Sequence, residues 1–339
     1  MSLKDRIELL VALGEHLAQG DAALDAVIQR AYIHNPWFTP ANTRRALKGI
    51  REAFLRREAL EGWIQHYILR ETAHRRTVGL VLAGNIPLVG FHDVLAVWMT
   101  GHRSQIKLSD KDRFLIPYLL DWMTAREAAA AEDFELVEKL EGYDAVIATG
   151  SNNSARYFEA YFGRKPHIIR RNRNGVAVLT GRETAADLAG IADDALAYFG
   201  LGCRNVSKLY VPEGYRFEPL LEALHEHREL VLHNKYKNNF DYNYTLLILN
   251  RVEHLANGCV LLIEDRALPS RIASLHYEYY ADDDQLRREL GERTADIQCV
   301  VSAEALEGWK RIAPGQAQQP GLRDYADGVD TVQFLLGLN

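Results

Sequence analysis

The sequence predicts an α/β fold, with parallel sheets covered by helices behind a helical N-terminal segment. Three observations predict it. Apolar residues recur at helical spacing through the first seventy positions. From Thr77 onward, short apolar runs alternate with helical stretches, the pattern of strands joined by crossover helices. These runs are apolar on both faces, which suits strands covered on each side.

Ile7, Leu10, Leu13 and Leu17 mark the first helix. Thr39 as N-cap and Pro40 at the first helical position open another, with Leu47, Ile50 and Phe54 as its buried stripe. Both read as packing elements. Strands then follow at residues 78–82, 104–107 and 143–148, with helices at 91–99, 114–130 and 153–162. A second region begins near residues 170–180. It offers strands at 175–179, 208–211, 244–249, 259–263 and 297–301, and a helix at 184–198. A Pro/Gly/Gln-rich stretch at 314–321 sets off a C-terminal tail.

A chain of 339 residues can bury one large or two medium cores. Its 47% hydrophobic and 25% charged residues are ordinary for a globular protein and exclude disordered and fibrous classes. The net charge of -6 argues against nucleic acid or an anionic membrane as the main partner. No apolar stretch approaches the roughly 20 residues of a membrane span. The N-terminus lacks the apolar core of a secretory signal, so a cytoplasmic protein is expected. Three cysteines without a CxxC pair build neither a disulfide framework nor a structural zinc site, and no metal is expected.

Four segments could carry chemistry. The first is Ala83-Gly84-Asn85-Ile86-Pro87-Leu88, after a buried strand. Ligands in open α/β sheets gather at carboxyl ends of strands. Asn85 would there present a neutral donor to a developing oxyanion, or serve only as a turn asparagine. The second is Ile106-Lys107-Leu108-Ser109-Asp110, a ribose or phosphate grip or a solvated loop. The third is Ala148-Thr149-Gly150-Ser151 before a helix, an anion site or a plain N-cap. The fourth is Gly200-Leu201-Gly202-Cys203-Arg204-Asn205. It lacks the third glycine of a dinucleotide fingerprint and precedes a strand, so that reading fails. What remains is a cysteine on a glycine-flanked turn, open to a substrate carbonyl. Its own N–H could serve as an oxyanion donor, and Arg204 or a helix dipole could favour the thiolate. Cys259 and Cys299 sit in apolar runs and read as small buried hydrophobes. The histidines show no ligand pairing, yet a Cys/His hydrolase stays open, because its partners need not be close in sequence.

The order of these segments resembles the aldehyde-dehydrogenase superfamily. Asn85-Ile86-Pro87-Leu88 resembles its N-x-P-L turn, whose asparagine lines the oxyanion hole. Lys107, Ser109 and Asp110 resemble the K-x-S-E grip on the adenosine ribose. Thr149-Gly150-Ser151 resembles the T-G-S turn at the pyrophosphate, and Gly202-Cys203 the nucleophile turn. The resemblance covers residues 75–215 well and the rest more loosely. Within the superfamily the chain is most similar to fatty-acyl-CoA reductases of the bacterial luminescence (LuxC-like) group. Residues 200–208 and the tail from Gln319-Pro320 through Asp324-Tyr325-Ala326-Asp327-Gly328 carry that likeness.

The resemblance implies an aldehyde-dehydrogenase-like fold of two α/β domains. Residues 1–175 would hold the N-terminal helices and a Rossmann-like cofactor domain, and residues 176–312 the catalytic domain. Residues 313–339 would be a tail packed on the cofactor domain or a subunit interface. The family's E-L-G-G segment carries the glutamate that activates water. Here the stretch reads Ile169-Arg170-Arg171-Asn172-Arg173-Asn174-Gly175, without a carboxylate. Hydrolysis of an acyl-enzyme should then be slow, which favours acyl reduction over oxidation to an acid. The family carboxylate at the nicotinamide ribose has no clear match; Asp265 and Glu278 are the nearby candidates. The expected reaction is NAD(P)H-dependent reduction of an acyl-CoA or acyl-carrier thioester to an aldehyde through acyl-Cys203. NADPH is the implied cofactor and NADH the alternative, since Asp110 can repel a 2′-phosphate. An acyl-activating partner enzyme and a homo-oligomer are implied by resemblance alone. Three other readings stay open: a relative that oxidises aldehydes or reduces acyl phosphates, a cysteine acyltransferase or thioesterase without nicotinamide, and a silent dinucleotide-binding scaffold. The segment 233–244, dense in aromatics, amides and lysines, reads as the border of an acyl or coenzyme A entrance or as a surface loop.

Overall fold

The computed structural model describes residues 1–69 and 75–338, so Arg70 lies outside the described residues. The chain divides into two compact units, Met1–Asn172 with Pro320–Asn339, and Arg173–Gln319.

The first unit opens with helices α1 (Leu3–Gln19), α2 (Ala22–His34), α3 (Pro40–Phe54) and α4 (Arg57–Ile64). Thr39 caps α3 through the Asn42 N–H, with Pro40 at the first turn. There follow β1 (Thr77–Val81), α5 (Phe91–Met99), β2 (Arg103–Lys107), α6 (Leu115–Arg126), β3 (Phe134–Leu136), β4 (Ala145–Thr149), α7 (Asn152–Phe162) and β5 (His167–Arg170). The five strands form one parallel sheet in the order β3-β2-β1-β4-β5. Its core joins Val78, Leu80, Ile106 and Ile147 to the helical residues Leu10, Leu13, Trp63 and Trp98. Parallel pairing needs covered faces, which the helices supply.

The second unit holds β6 (Asn174–Val178), α8 (Ala185–Leu196), β7 (Val206–Pro212), α9 (Glu218–His225), α10 (Asn234–Leu249), β8 (His254–Ala256), β9 (Leu261–Glu264), β10 (Ser274–Tyr280), α11 (Asp283–Glu292), β11 (Ile297–Ser302) and β12 (Arg311–Ile312). Its sheet runs β12-β11-β6-β7-β10-β9-β8, parallel except for β8 against β9. A final helix, α12 (Thr331–Leu336), belongs to the first unit. There Arg170 ties Asp93 on α5, at 2.5 Å, to the Thr331 hydroxyl, at 3.0 Å.

One expected strand is wrong. Residues 244–249 end the helix α10. The apolar run at 246–249 suggested a buried strand, but Ile248 and Leu249 are exposed. The helix is anchored instead by Tyr236 and Asn243, seven residues apart on one face, and braced by Lys237–Asp241 one turn apart. Among the described residues no helix is long and apolar enough to cross a membrane.

Candidate functional site

In the first unit, parallel register brings the carboxyl ends of β1, β2 and β4 to one sheet edge: Val81 pairs with Lys107 and with Ala148. The first three candidate segments begin there. Strand order reverses between β1 and β4, the point where open α/β sheets bind ligands.

Asn85 is half-buried in the turn after β1. Gly84 is required by contact, because a Cβ there would stand 2.5 Å from Ser109 Oγ. The first two segments therefore touch. The 109–113 loop is held in turn by the end of α2, where His34 Nε2 bonds the Asp110 carbonyl at 2.6 Å and Asn35 bonds that of Lys111 at 3.3 Å. Lys107 donates to the Glu138 carbonyl at 2.7 Å, which leaves two of its three ammonium donors. Ser109 Oγ accepts the Lys111 N–H at 3.3 Å. Asp110 is exposed and paired with Arg113 at 2.7 Å.

Thr149 ends β4, and Ser151 caps α7 by accepting the Ser154 N–H at 3.2 Å. A Cβ at Gly150 would lie 2.8 Å from the Phe158 ring and 2.9 Å from Ser154 Cβ. That glycine serves close packing of the strand end on α7. The first N–H groups of α7 remain suited to an anion.

In the second unit, Cys203 sits half-buried on a turn just ahead of β7. The chain enters this turn through three left-handed residues: Tyr198 at φ 52, Phe199 at φ 61 and Gly200 at φ 73. Two of the three carry side chains in a sparsely populated region, so the surroundings must enforce the conformation. Asn205 braces both ends of this segment, a role not read from sequence. Only 2% exposed, it donates from Nδ2 to the carbonyls of Asp194 at 2.8 Å and Ala197 at 2.9 Å. Its Oδ1 accepts the Gly202 N–H at 2.7 Å. One side chain thus ties the end of α8 to the residue before the cysteine. Arg204 donates to the Ala317 carbonyl at 2.6 Å, so its guanidinium has a structural bond as well as its charge.

Cys259 and Cys299 are buried, and burial pushes the Cys259 thiol up to about 11. Glu278 bonds the buried Lys208 at 2.8 Å, with Arg266 at 3.6 Å and Arg293 at 3.9 Å. It is already committed to an ion cluster. Asp265 accepts the Ala267 N–H at 2.8 Å. The segment 233–244 is no loop: it opens α10, with His233 as N-cap, and the His233 ring lies 4.6 Å from that of Phe199.

No protein-family sequence pattern matches the chain, and no curated protein matches its sequence. Solved structures do match in shape. The fold is that of the aldehyde dehydrogenases. Aldehyde dehydrogenase 21 from Physcomitrella patens, in complex with the reaction product succinate, superposes with a TM-score of 0.70 at 12% identity, over 100% of this chain and 84% of that one. An NAD-dependent aldehyde dehydrogenase from Sinorhizobium meliloti gives 0.68 at 15% identity, covering 89% and 70%. A mutant of aldehyde dehydrogenase C from Pseudomonas syringae, complexed with NAD+ and octanal, gives 0.63 at 11%, covering 89% and 72%.

The first unit's edge suits a dinucleotide chemically. If a dinucleotide binds there, Lys107 could offer a cation, Ser109 and Ser151 hydroxyls and the start of α7 N–H donors to phosphate oxygens, and Asp110 could offer an acceptor to ribose hydroxyls.

Proposed function

We propose that this protein is an NAD(P)H-dependent reductase of acyl thioesters, fatty acyl-CoA in the first instance, working through an acyl-Cys203 intermediate. The observation that carries the proposal is the Cys203 turn: a half-buried thiol on strained backbone, pinned by a fully bonded asparagine, in an aldehyde-dehydrogenase fold.

The Cys203 thiolate attacks the thioester carbonyl carbon. The new C–S bond forms, the bond to the thiol of coenzyme A breaks, and that thiol leaves with the electron pair. The Cys203 N–H and the Asn85 amide are the proposed oxyanion donors. The nicotinamide supplies a hydride for the thioester carbon. Release of the aldehyde returns the electron pair to Cys203 sulfur. Lys107, Ser109, Asp110, Thr149, Gly150 and Ser151 are the proposed cofactor contacts. NADPH is the first choice by resemblance and NADH the alternative, since the Asp110–Arg113 pair is neutral and selects neither. The stretch 169–175 holds three arginines and no carboxylate, and Arg170 is taken up by Asp93 and Thr331. It offers no general base for water, which favours reduction over hydrolysis.

The test is a steady-state assay with fatty acyl-CoA and either nicotinamide, scoring aldehyde, free thiol and fatty acid separately. Aldehyde and free thiol in equal amounts, only with reduced nicotinamide, are expected. Fatty acid released without nicotinamide would establish a thioesterase instead.

A further inference from the structure

Asp112 lies between β2 and α6, outside every motif picked out above. It is 3% exposed. Its Oδ2 accepts the Leu88 N–H at 2.8 Å. Its Oδ1 is buried and makes no hydrogen bond of good geometry among the described residues. A buried carboxylate this sparsely bonded is costly. Burial pushes the Asp112 carboxyl up to about 6, and the Leu88 and Leu115 N–H groups only partly oppose it. Leu88 itself stands at φ 61, a conformation leucine holds only under constraint. At the other end of the same turn, Gly84 lies against Ser109, whose carbonyl accepts the Asp112 N–H at 3.0 Å. One short loop therefore grips both ends of the turn that carries Asn85.

We propose that Asp112 is the positioning residue of the Asn85 turn: by holding the Leu88 N–H, it fixes the direction in which Asn85 presents its amide to a developing oxyanion. The inference rests on the oxyanion role given to Asn85 above. A cap for α6 would need only groups of α6. It would not account for a carboxylate bonded to a separate segment whose leucine is held left-handed.

The test is a double-mutant cycle on the full chain, reading the single-turnover rate of Cys203 acylation by fatty acyl-CoA. N85A is expected to be slower by about 100-fold. D112A is expected to lose about 10- to 100-fold in maximal rate, with the half-saturating acyl-CoA concentration changed less than about twofold. D112N retains an acceptor for Leu88 and should recover to within about threefold of wild type. The double variant N85A/D112A should be no more than about twofold slower than N85A. Faster hydrogen exchange at the Leu88 amide in D112A, with an unfolding midpoint that keeps the protein folded under assay, supports the same account. Should D112A fail to fold, D112S replaces it with the same expectations. Losses that multiply in the double variant overturn the inference, as does a D112A effect confined to half-saturation. Wild type that forms no acyl adduct overturns the functional reading and the inference together, an outcome distinct from both.

Discussion

Asn205→Ala removes the side chain that joins the Cys203 turn to α8. Three short bonds disappear, at 2.7, 2.8 and 2.9 Å, and with them the partners of the Gly202 N–H and of the Asp194 and Ala197 carbonyls. Each bond contributes about 1 kcal/mol net, and a buried group left unpaired costs about 1–3 kcal/mol. The two carbonyls and the N–H, taken at the low end of that range, sum to about 3–5 kcal/mol, a large loss for one substitution. Asn205→Asp is the sharper probe. It keeps the acceptor for Gly202 but turns a carboxylate oxygen toward two carbonyl oxygens. Its folded-state carboxyl must rise above the unfolded value of about 4, so the loss grows as pH rises through that range and shrinks as the carboxyl protonates. Urea unfolding at about pH 5 and about pH 8 measures both effects, and alkylation of Cys203 by a small thiol reagent reports the turn itself. N205A within about 0.5 kcal/mol of wild type, with unchanged alkylation, would refute the reasoning. So would an N205D loss, measured against wild type at each pH, that is the same at both.

His92 bonds the Leu322 carbonyl at 3.0 Å within an aromatic box of Phe54, Trp63 and Tyr325, and burial holds its imidazole below the ordinary 6.5. The unfolded chain takes a proton there that the folded chain refuses, so stability falls as pH drops below 6.5. H92Q should narrow the gap between the urea midpoints at about pH 7.5 and about pH 5.5; an unchanged gap refutes this. Lys208 is 0% exposed and pairs with Glu278 at 2.8 Å. K208A should cost about 1–3 kcal/mol, because Glu278 loses its nearest cation but keeps Arg266 at 3.6 Å and Arg293 at 3.9 Å, and K208M/E278Q should recover part of the loss. Equal stability of K208A and wild type in urea contradicts the pair's role. K107A should weaken nicotinamide dinucleotide binding by about tenfold in a calorimetric titration, since it removes a phosphate-seeking cation. Undiminished affinity removes Lys107 from the cofactor contacts.

The alternation of apolar runs and helical stretches was legible because buried parallel strands need apolar faces on both sides, and Val78, Leu80, Val176 and Leu209 report this directly. Residues 244–249 misled for the same reason: an apolar run of strand length also fits the last turn and a half of a helix. The strand order depends on long-range pairing that local pattern does not encode. Cys203 and Asn85 could be picked out because glycine and proline beside them mark turns at strand ends. Asn205 and Asp112 could not be given roles, although Asn205 lay inside a quoted motif. Their partners are backbone groups of Asp194, Ala197 and Leu88, and backbone leaves no signature in side-chain identity.

The proposed reaction turns on acylation of Cys203. Intact-mass spectrometry of the protein mixed with fatty acyl-CoA, before and after reduced nicotinamide is added, tests it most directly. Wild type should gain one acyl mass and lose it as aldehyde when NADPH or NADH is supplied, while C203A gains nothing. An acyl mass that also appears on C203A, or no adduct on wild type with any chain length, contradicts the account.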